Sequence, residues 1–430
     1  MTADREFYDD GECRPPAELE RRRWQRISRL LRYAHDNLPF YRQAFAAAGY
    51  APGPIRCADE FAAKIPRTRK ADLIAATRAP GSARVGIEAI GRNRVSCVVM
   101  TSGTLGFNTF AFLTAADLNA GNLRNAAREL WLAKVRPGMR VLTLSPAWHA
   151  LALLDTRAIT AIGAQPITPW GTFAPRFSAN FLDAVARFRP EHMLVTVPAL
   201  RAILEECERQ RLAPRAIFRS VRYVATAGEA LSPAFRRHVI RELGLDDLFE
   251  RGGSSDGMFG GSECWAHRGH HIFADLHYIE VVDPQTGRPL PPGRRGSAVV
   301  TNLTRDRSVY VRFDTEDVAE IVGGDCPCGR THPLVELYGR LSDSVRLPGR
   351  IVAPADVRAC LDELPPLMGR SFRLEPLERD GVSVRLAEAA LRPFAGAGDV
   401  TETLRDRLTQ ALQRRIGVRV SVVGGGDGGG

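Results

Sequence analysis

The segment Val98–Phe107 reads VVMTSGTLGF, an apolar run followed by three hydroxyl side chains, Thr101, Ser102 and Thr104, interleaved with Gly103 and Gly106. Hydroxyls among glycines directly after a strand make a loop that brings backbone N–H groups and side-chain donors up against an anion. The anion such a loop suits is a polyphosphate. Alone, the same pattern also describes an ordinary turn, and it lacks the G-x-x-x-x-G-K-[ST] spacing because no lysine follows Gly106. A second cluster is built from softer ligands. Cys326 and Cys328 form a C-x-C pair in GDCPCGRTH, and SECWAHRGHH supplies Cys264 and His271 upstream. Thiolates and an imidazole are what zinc prefers in closed tetrahedral sites, although C-x-C is tighter than the commonest spacing. The alternatives are reduced thiols in packed loops, or a ligand role for His267, His270 or His332 in place of His271.

These residues need elements to hold them. Trp24, Ile27, Leu31, Ala34 and Leu38 recur at helical spacing with arginines between them, and Pro39 closes the pattern. Beyond it, helical stretches such as DLNAGNLRNAARELWLAKV, FSANFLDAVARF and PALRAILEECERQ alternate with the strand-like MRVLTLS, HMLVTV and VRYVATAG. Such alternation predicts an α/β architecture of helix-covered sheets. After about residue 270 the pieces become short and strand-like (IFADLHYIEVV, GSAVVTNL, VAEIV) with Pro/Gly turns between, which are hairpin and barrel signals. The expected organisation is therefore a large domain over 1–339, including a small β-barrel-like part. A small α+β domain over 340–423 follows, entered through YGRLSDSVRLPGR, and a disordered Gly-rich tail over 424–430 closes the chain.

Composition narrows the class. With 430 residues, 44% of them hydrophobic and 25% charged, the chain is long enough for a sizeable core and reads as globular rather than disordered. No apolar run approaches the ~18 residues that cross a bilayer, and the acidic start has no basic n-region, so a cytoplasmic protein is expected. The formal charge is +10, and all but Lys64, Lys70 and Lys134 of the 59 basic residues are arginine. The arginines are spread along the chain instead of massed in a block, which fits an anionic small molecule better than nucleic acid. Eight cysteines in a chain of this length do not make a disulfide framework.

Six segments fall in one order: TSGTLG, then SPAWHALAL (145–153), ATAGEALSP (225–233), GGSSD (252–256), YVRFDTEDVAEI (310–321) and GRLSDSVRLPGRIVAPADV (339–357). Together they resemble the adenylate-forming superfamily of acyl-CoA synthetases. The likeness is nearest to its phenylacetate-CoA ligase and coenzyme-F-adenylating branch, whose marks include NLPFYRQAF, IPRTRKADL and CPCGRTHP. It runs from about residue 15 to about residue 420.

The resemblance implies an ATP-dependent ligase that activates a carboxylic acid, expected to be aromatic, as its acyl-adenylate and hands it to CoA or another acceptor. It implies that Thr101, Ser102, Gly103, Thr104 and Gly106 cradle the β- and γ-phosphates of ATP, and that Gly228 and Glu229 lie along the adenine. Ser254 and Ser255 would approach the α-phosphate, Asp256 would hold Mg2+, Asp317 would bind the ribose hydroxyls, and Arg340 would reach ribose or phosphate. Thr104, His149 and Asp256 are the catalytic candidates, with His149 as the gate between acyl pocket and pantetheine tunnel and Trp148 as an acyl-pocket wall. Relatives carry the same Cys264, His271, Cys326 and Cys328 set, implying structural zinc. A homodimer is compatible with this reading.

The sequence also departs from the pattern. Relatives place a C-terminal lysine over the reacting carboxylate and α-phosphate, yet no lysine occurs after Lys134, and an arginine fork such as Arg415 or Arg419 is not a point charge. Asp256 stands where Glu is usual, Ser342 where the hinge is usually acidic, and Phe107 and Asn108 where the phosphate loop often has lysine. These departures motivate an alternative: a divergent member that performs only acyl or adenylate transfer, or acts as a non-catalytic nucleotide-binding partner.

Overall fold

The computed structural model describes residues 6–78, 94–100, 110–144, 150–168, 179–254, 259–304, 309–378, 381–387, 398–417 and 419–425. Pro16 opens the first long helix, Pro16–Asn37, where its missing N–H costs nothing. Trp24, Ile27, Leu31, Ala34 and Leu38 are all buried, as their spacing predicts. The helix stops at Leu38 because a residue before proline is pushed out of the helical region, and Pro39 then begins a second helix, Pro39–Ala47.

The main sheet has eleven strands. Its parallel half holds β3 (Arg140–Thr143), β4 (Gln165–Ile167), β5 (His192–Thr196), β6 (Tyr223–Ala227) and β7 (Asp247–Ser254). Intervening helices cover them, including Ala150–Ile162, Val197–Arg209 and Pro233–Leu243. Met193, Leu194, Val195, Val224, Leu248 and Phe249 are almost wholly buried, the near-continuous apolar runs a helix-covered parallel sheet requires.

The short strands expected after residue 270 are β9 (His270–Ile272), β10 (His277–Val282), β11 (Gly296–Asn302), β12 (Phe313–Val322) and β13 (Leu334–Arg340), preceded by β8 (Phe259–Ser262). They pair antiparallel and join the parallel half through one strand. The first part of β7 runs parallel to β6, whereas Arg251–Ser254 pairs antiparallel with β8. Strand β7 is thus the seam of the sheet.

Strands β1 (Cys97–Met100) and β2 (Phe110–Leu113) form a separate antiparallel pair, so a strand does end directly before Thr101. Past β13, β14 (Val345–Leu347) pairs with β15 (Arg350–Val352), and the helix Pro354–Asp362 follows. A sheet of β16 (Phe372–Leu377), β17 (Gly381–Ala387) and β18 (Val420–Gly425) carries the helix Gly398–Ile416. These elements share a core that includes Val357, Leu361, Val382, Leu408 and Leu412. All eight cysteines are free thiols. Among the described residues no helix is long and apolar enough to cross a membrane.

Candidate active site

Where β6 ends, Gly228 takes φ +97°, a conformation that costs glycine little and other residues much. The chain thereby turns out of the sheet and leaves Glu229 at the mouth of a cleft of about 330 Å³. Glu229 is partly exposed and pairs with Arg201 at 2.8 Å.

The opposite wall comes from β12 and β13. Glu316 sits at φ +60°, and its N–H donates to Asp314 Oδ1 at 3.0 Å. This tight bend precedes Asp317, which lies across from Arg340 in the β12–β13 register. Arg340 Nε stands 3.4 Å from Asp317 Oδ1, and the guanidinium also donates to the Thr315 carbonyl at 2.9 Å. Both side chains line the same cleft as Gly228 and Glu229. Ser254, buried at the end of β7, lines it too.

Five residues chosen from four separated stretches of sequence therefore meet in one cavity. Thr101, Ser102, Gly103, Thr104, Gly106, His149, Ser255 and Asp256 lie outside the described residues, as does Trp148.

Close approach of backbones shapes the floor. A Cβ on Gly253 would overlap the Phe259 carbonyl, and one on Gly252 would come within 2.8 Å of His270 Nε2. Glycine at 253 lets β7 and β8 approach closely, and glycine at 252 leaves room for the His270 ring.

Sequence reasoning did not anticipate the polar group behind this floor. Arg251, on β7, is buried between two carboxylates. Its Nε and Nη2 donate to Glu129 Oε2 at 3.0 and 2.8 Å, and Nη1 and Nη2 donate to Asp155 at 3.0 and 2.8 Å. Glu129 also accepts from Asn125, whose Oδ1 faces His277 Nε2 at 3.2 Å. Burial raises the Glu129 carboxyl to about 7 in spite of Arg251, which pulls the other way. Asn122, Asn125, Glu129 and Arg251 all line the cleft. No local motif announces them; the Gly-Gly pairs at 252–253 and 260–261 were the available sign that two backbones meet here.

The cysteine cluster forms apart from the cleft. Cys264, His271, Cys326 and Cys328 are buried, with their ligand atoms all within 4.8 Å of one another. Cys264 and Cys326 sulfurs are 3.5 Å apart, and Cys328 Sγ is 3.2 Å from His271 Nε2. A zinc tetrahedron with Zn–S bonds of ~2.3 Å has edges of roughly 3.8 Å, so the donor set and its size both fit that ion. The histidine drawn into the group is His271; His270 instead faces the Val335 carbonyl at 3.0 Å, and His267 bridges Asp247 and Glu263.

Comparison with known proteins follows the same lines. Residues 57–302 match the family model described as AMP-binding enzyme. The chain is 29% identical over 433 residues to a phenylacetate-coenzyme A ligase of Thermus thermophilus, spanning 97% of this chain and 94% of that protein. It is 26% identical to another of Aromatoleum evansii, spanning 94% of this chain and 88% of that one. A solved 2-hydroxyisobutyryl-CoA ligase, in the postadenylation state with an acyl-adenylate, superposes with a TM-score of 0.82 at 24% identity, covering 99% of this chain and 90% of its own.

Proposed function

Because this chain belongs to the AMP-binding enzyme family, in the phenylacetate-CoA ligase branch of the adenylate-forming ligases, we propose that it joins a carboxylic acid to coenzyme A through an acyl-adenylate. The carrying observation is the convergence of Gly228, Glu229, Ser254, Asp317 and Arg340 on one cleft. In the first step a carboxylate oxygen attacks the α-phosphorus of ATP and pyrophosphate leaves. In the second the thiol sulfur of coenzyme A attacks the acyl carbon, AMP leaves and the thiol proton passes to solvent or a base.

Gly228 and Glu229 border the adenine, and the Asp317 carboxylate accepts from the two ribose hydroxyls with Arg340 beside it. Ser254 and Ser255 flank the α-phosphate. Thr101, Ser102, Gly103, Thr104 and Gly106 wrap the outer phosphates, while Asp256 binds the magnesium that enters as part of the nucleotide substrate. His149 gates the thiol's approach. An aryl acid is the expected substrate class, supported by relatives named phenylacetate-coenzyme A ligase and by Trp148 as a flat apolar wall.

Cys264, His271, Cys326 and Cys328 hold a structural zinc that ties β9 to the loop before β13. Its role is to fix that corner of the sheet, not to take part in the reaction.

Mass spectrometry of the products formed from ATP, magnesium, coenzyme A and a panel of aryl and short acids tests the proposal. An acyl-CoA together with AMP is the expected pair. Asp256 in place of the usual Glu, and a phosphate loop with Phe107 and Asn108 where lysine is frequent, favour a second reading, in which only transfer survives. That reading predicts product from a synthetic acyl-adenylate plus coenzyme A, but none from acid plus ATP.

A further inference from the structure

If the nucleotide lies between Glu229 and Asp317, the carboxylate of the acid must meet the α-phosphate. The rest of the acid then fills the side of the cleft walled by the segment Asp117–Leu132. That wall is not hydrocarbon. Asn122 lines it, and the amide nitrogen of this buried residue has no acceptor among the described residues. Glu129 lines it as well, with Oε2 taken by Arg251 and Oε1 meeting, among the described residues, only Asn125.

Gly260 belongs to the same wall. A Cβ at 260 would overlap Glu129 Oε1, so only glycine lets β8 pack against this carboxylate without displacing it. Charge adds to the argument. One guanidinium, Arg251, faces two carboxylates, Glu129 and Asp155, so the wall gains from another donor. Burial raising Glu129 to about 7 expresses the same deficit.

A purely hydrocarbon group packed here would leave the Asn122 amide without an acceptor and Glu129 short of donors, the costly way to bury polar groups. A hydroxyl would donate to Glu129 and accept from Asn122, and an amino group would donate to Glu129.

We propose that the acid carries a hydroxyl or amino substituent on the part remote from its carboxylate, held by Glu129 and Asn122. This rests on the acyl-adenylate reading above and narrows its substrate class.

The test uses the full chain and acyl-sulfamoyl adenosines, which mimic the acyl-adenylate. A matched set carries an unsubstituted phenylacetyl group, its ring-hydroxylated and ring-amino forms, and AMP alone, with affinities read by calorimetry. At least one hydroxyl or amino member is expected to bind about 10- to 100-fold more tightly than the unsubstituted one, the scale of a hydrogen bond to a charged group. Both Glu129→Gln and Asn122→Leu should shrink that ratio while leaving AMP binding in place. The wild-type ratio stands without the variants if either misfolds. Equal or tighter binding of the unsubstituted compound, with AMP still bound, overturns the substrate inference alone. Failure of AMP and every analogue to bind overturns the acyl-adenylate reading and the inference with it.

Discussion

Arg251 shows how much one side chain carries in this molecule. It is held by four hydrogen bonds to Glu129 and Asp155, and its removal would strand two carboxylates in a dry interior. Breaking a buried pair from one side costs about 3–5 kcal/mol, so Arg251→Met should lower the denaturation midpoint far more than a surface Arg→Met change. Asp317 carries a different burden. If it holds the ribose, Asp317→Ala should raise the KM for ATP roughly 10- to 100-fold, the loss of charge-assisted hydrogen bonds, with an unchanged unfolding midpoint. Initial rates at varied ATP, beside a thermal melt, check both halves of that statement. Gly228 and Asp317 were legible through the family resemblance, which put both at one site, and they do line one cleft. Glu129 and Arg251 were not, since each is a routine charged residue until the fold brings together positions 122 apart in sequence.

At the scale of elements, two small devices pin the chain near its start and at the cysteine cluster. The turn Asp10–Cys13 is capped by Asp9, whose carboxylate also pairs with Arg124 at 2.7 Å and with the buried Arg128 at 2.6 Å. Burial opposes ionisation of Asp9, but the two guanidinium hydrogen bonds outweigh it and hold its carboxyl well below the usual range. The stabilisation is therefore present in full above the unfolded carboxylate value of about 3.9 and fades as pH falls through the depressed folded value. Wild type should outlast Asp9→Asn in urea at pH 7, and the gap should close progressively below about pH 4. A gap that instead grew on acidification would contradict the assignment. At the other corner, elemental analysis should find about one zinc per chain. Chelation should then lower the melting temperature, and Cys326→Ser should abolish both the metal and the chelator's effect. Helices and strands were readable here from alternation and apolar spacing. The double pairing of β7, parallel on one side and antiparallel on the other, was not, because nothing in DLFERGGS marks where the pairing changes direction.

The whole molecule joins a helix-covered sheet to the elements that follow β13 through a small apolar cluster of Val318, Ile351 and Ala353 and through polar contacts. Ser232 caps the helix Pro233–Leu243 and donates to Asp362 Oδ2 at 2.6 Å, while Arg295 pairs with Asp356 at 2.7 Å. Buried hydrogen bonds of this kind hold one orientation of the two parts. The α/β class and the convergence of the Asp317 and Glu229 segments were legible because an ordered series of motifs constrains a fold more tightly than any one of them. Contacts between the two parts were not, since they depend on single polar residues in unremarkable surroundings.

The central claim is that this cleft brings a carboxylate and the α-phosphate of ATP together. Exchange of labelled pyrophosphate into ATP, measured across a panel of hydroxyl-, amino- and unsubstituted aryl acids, tests it most directly. The account predicts exchange that depends on an added acid and is lost in Asp317→Ala at low ATP. No exchange with any acid, from folded protein that still binds ATP, would contradict it.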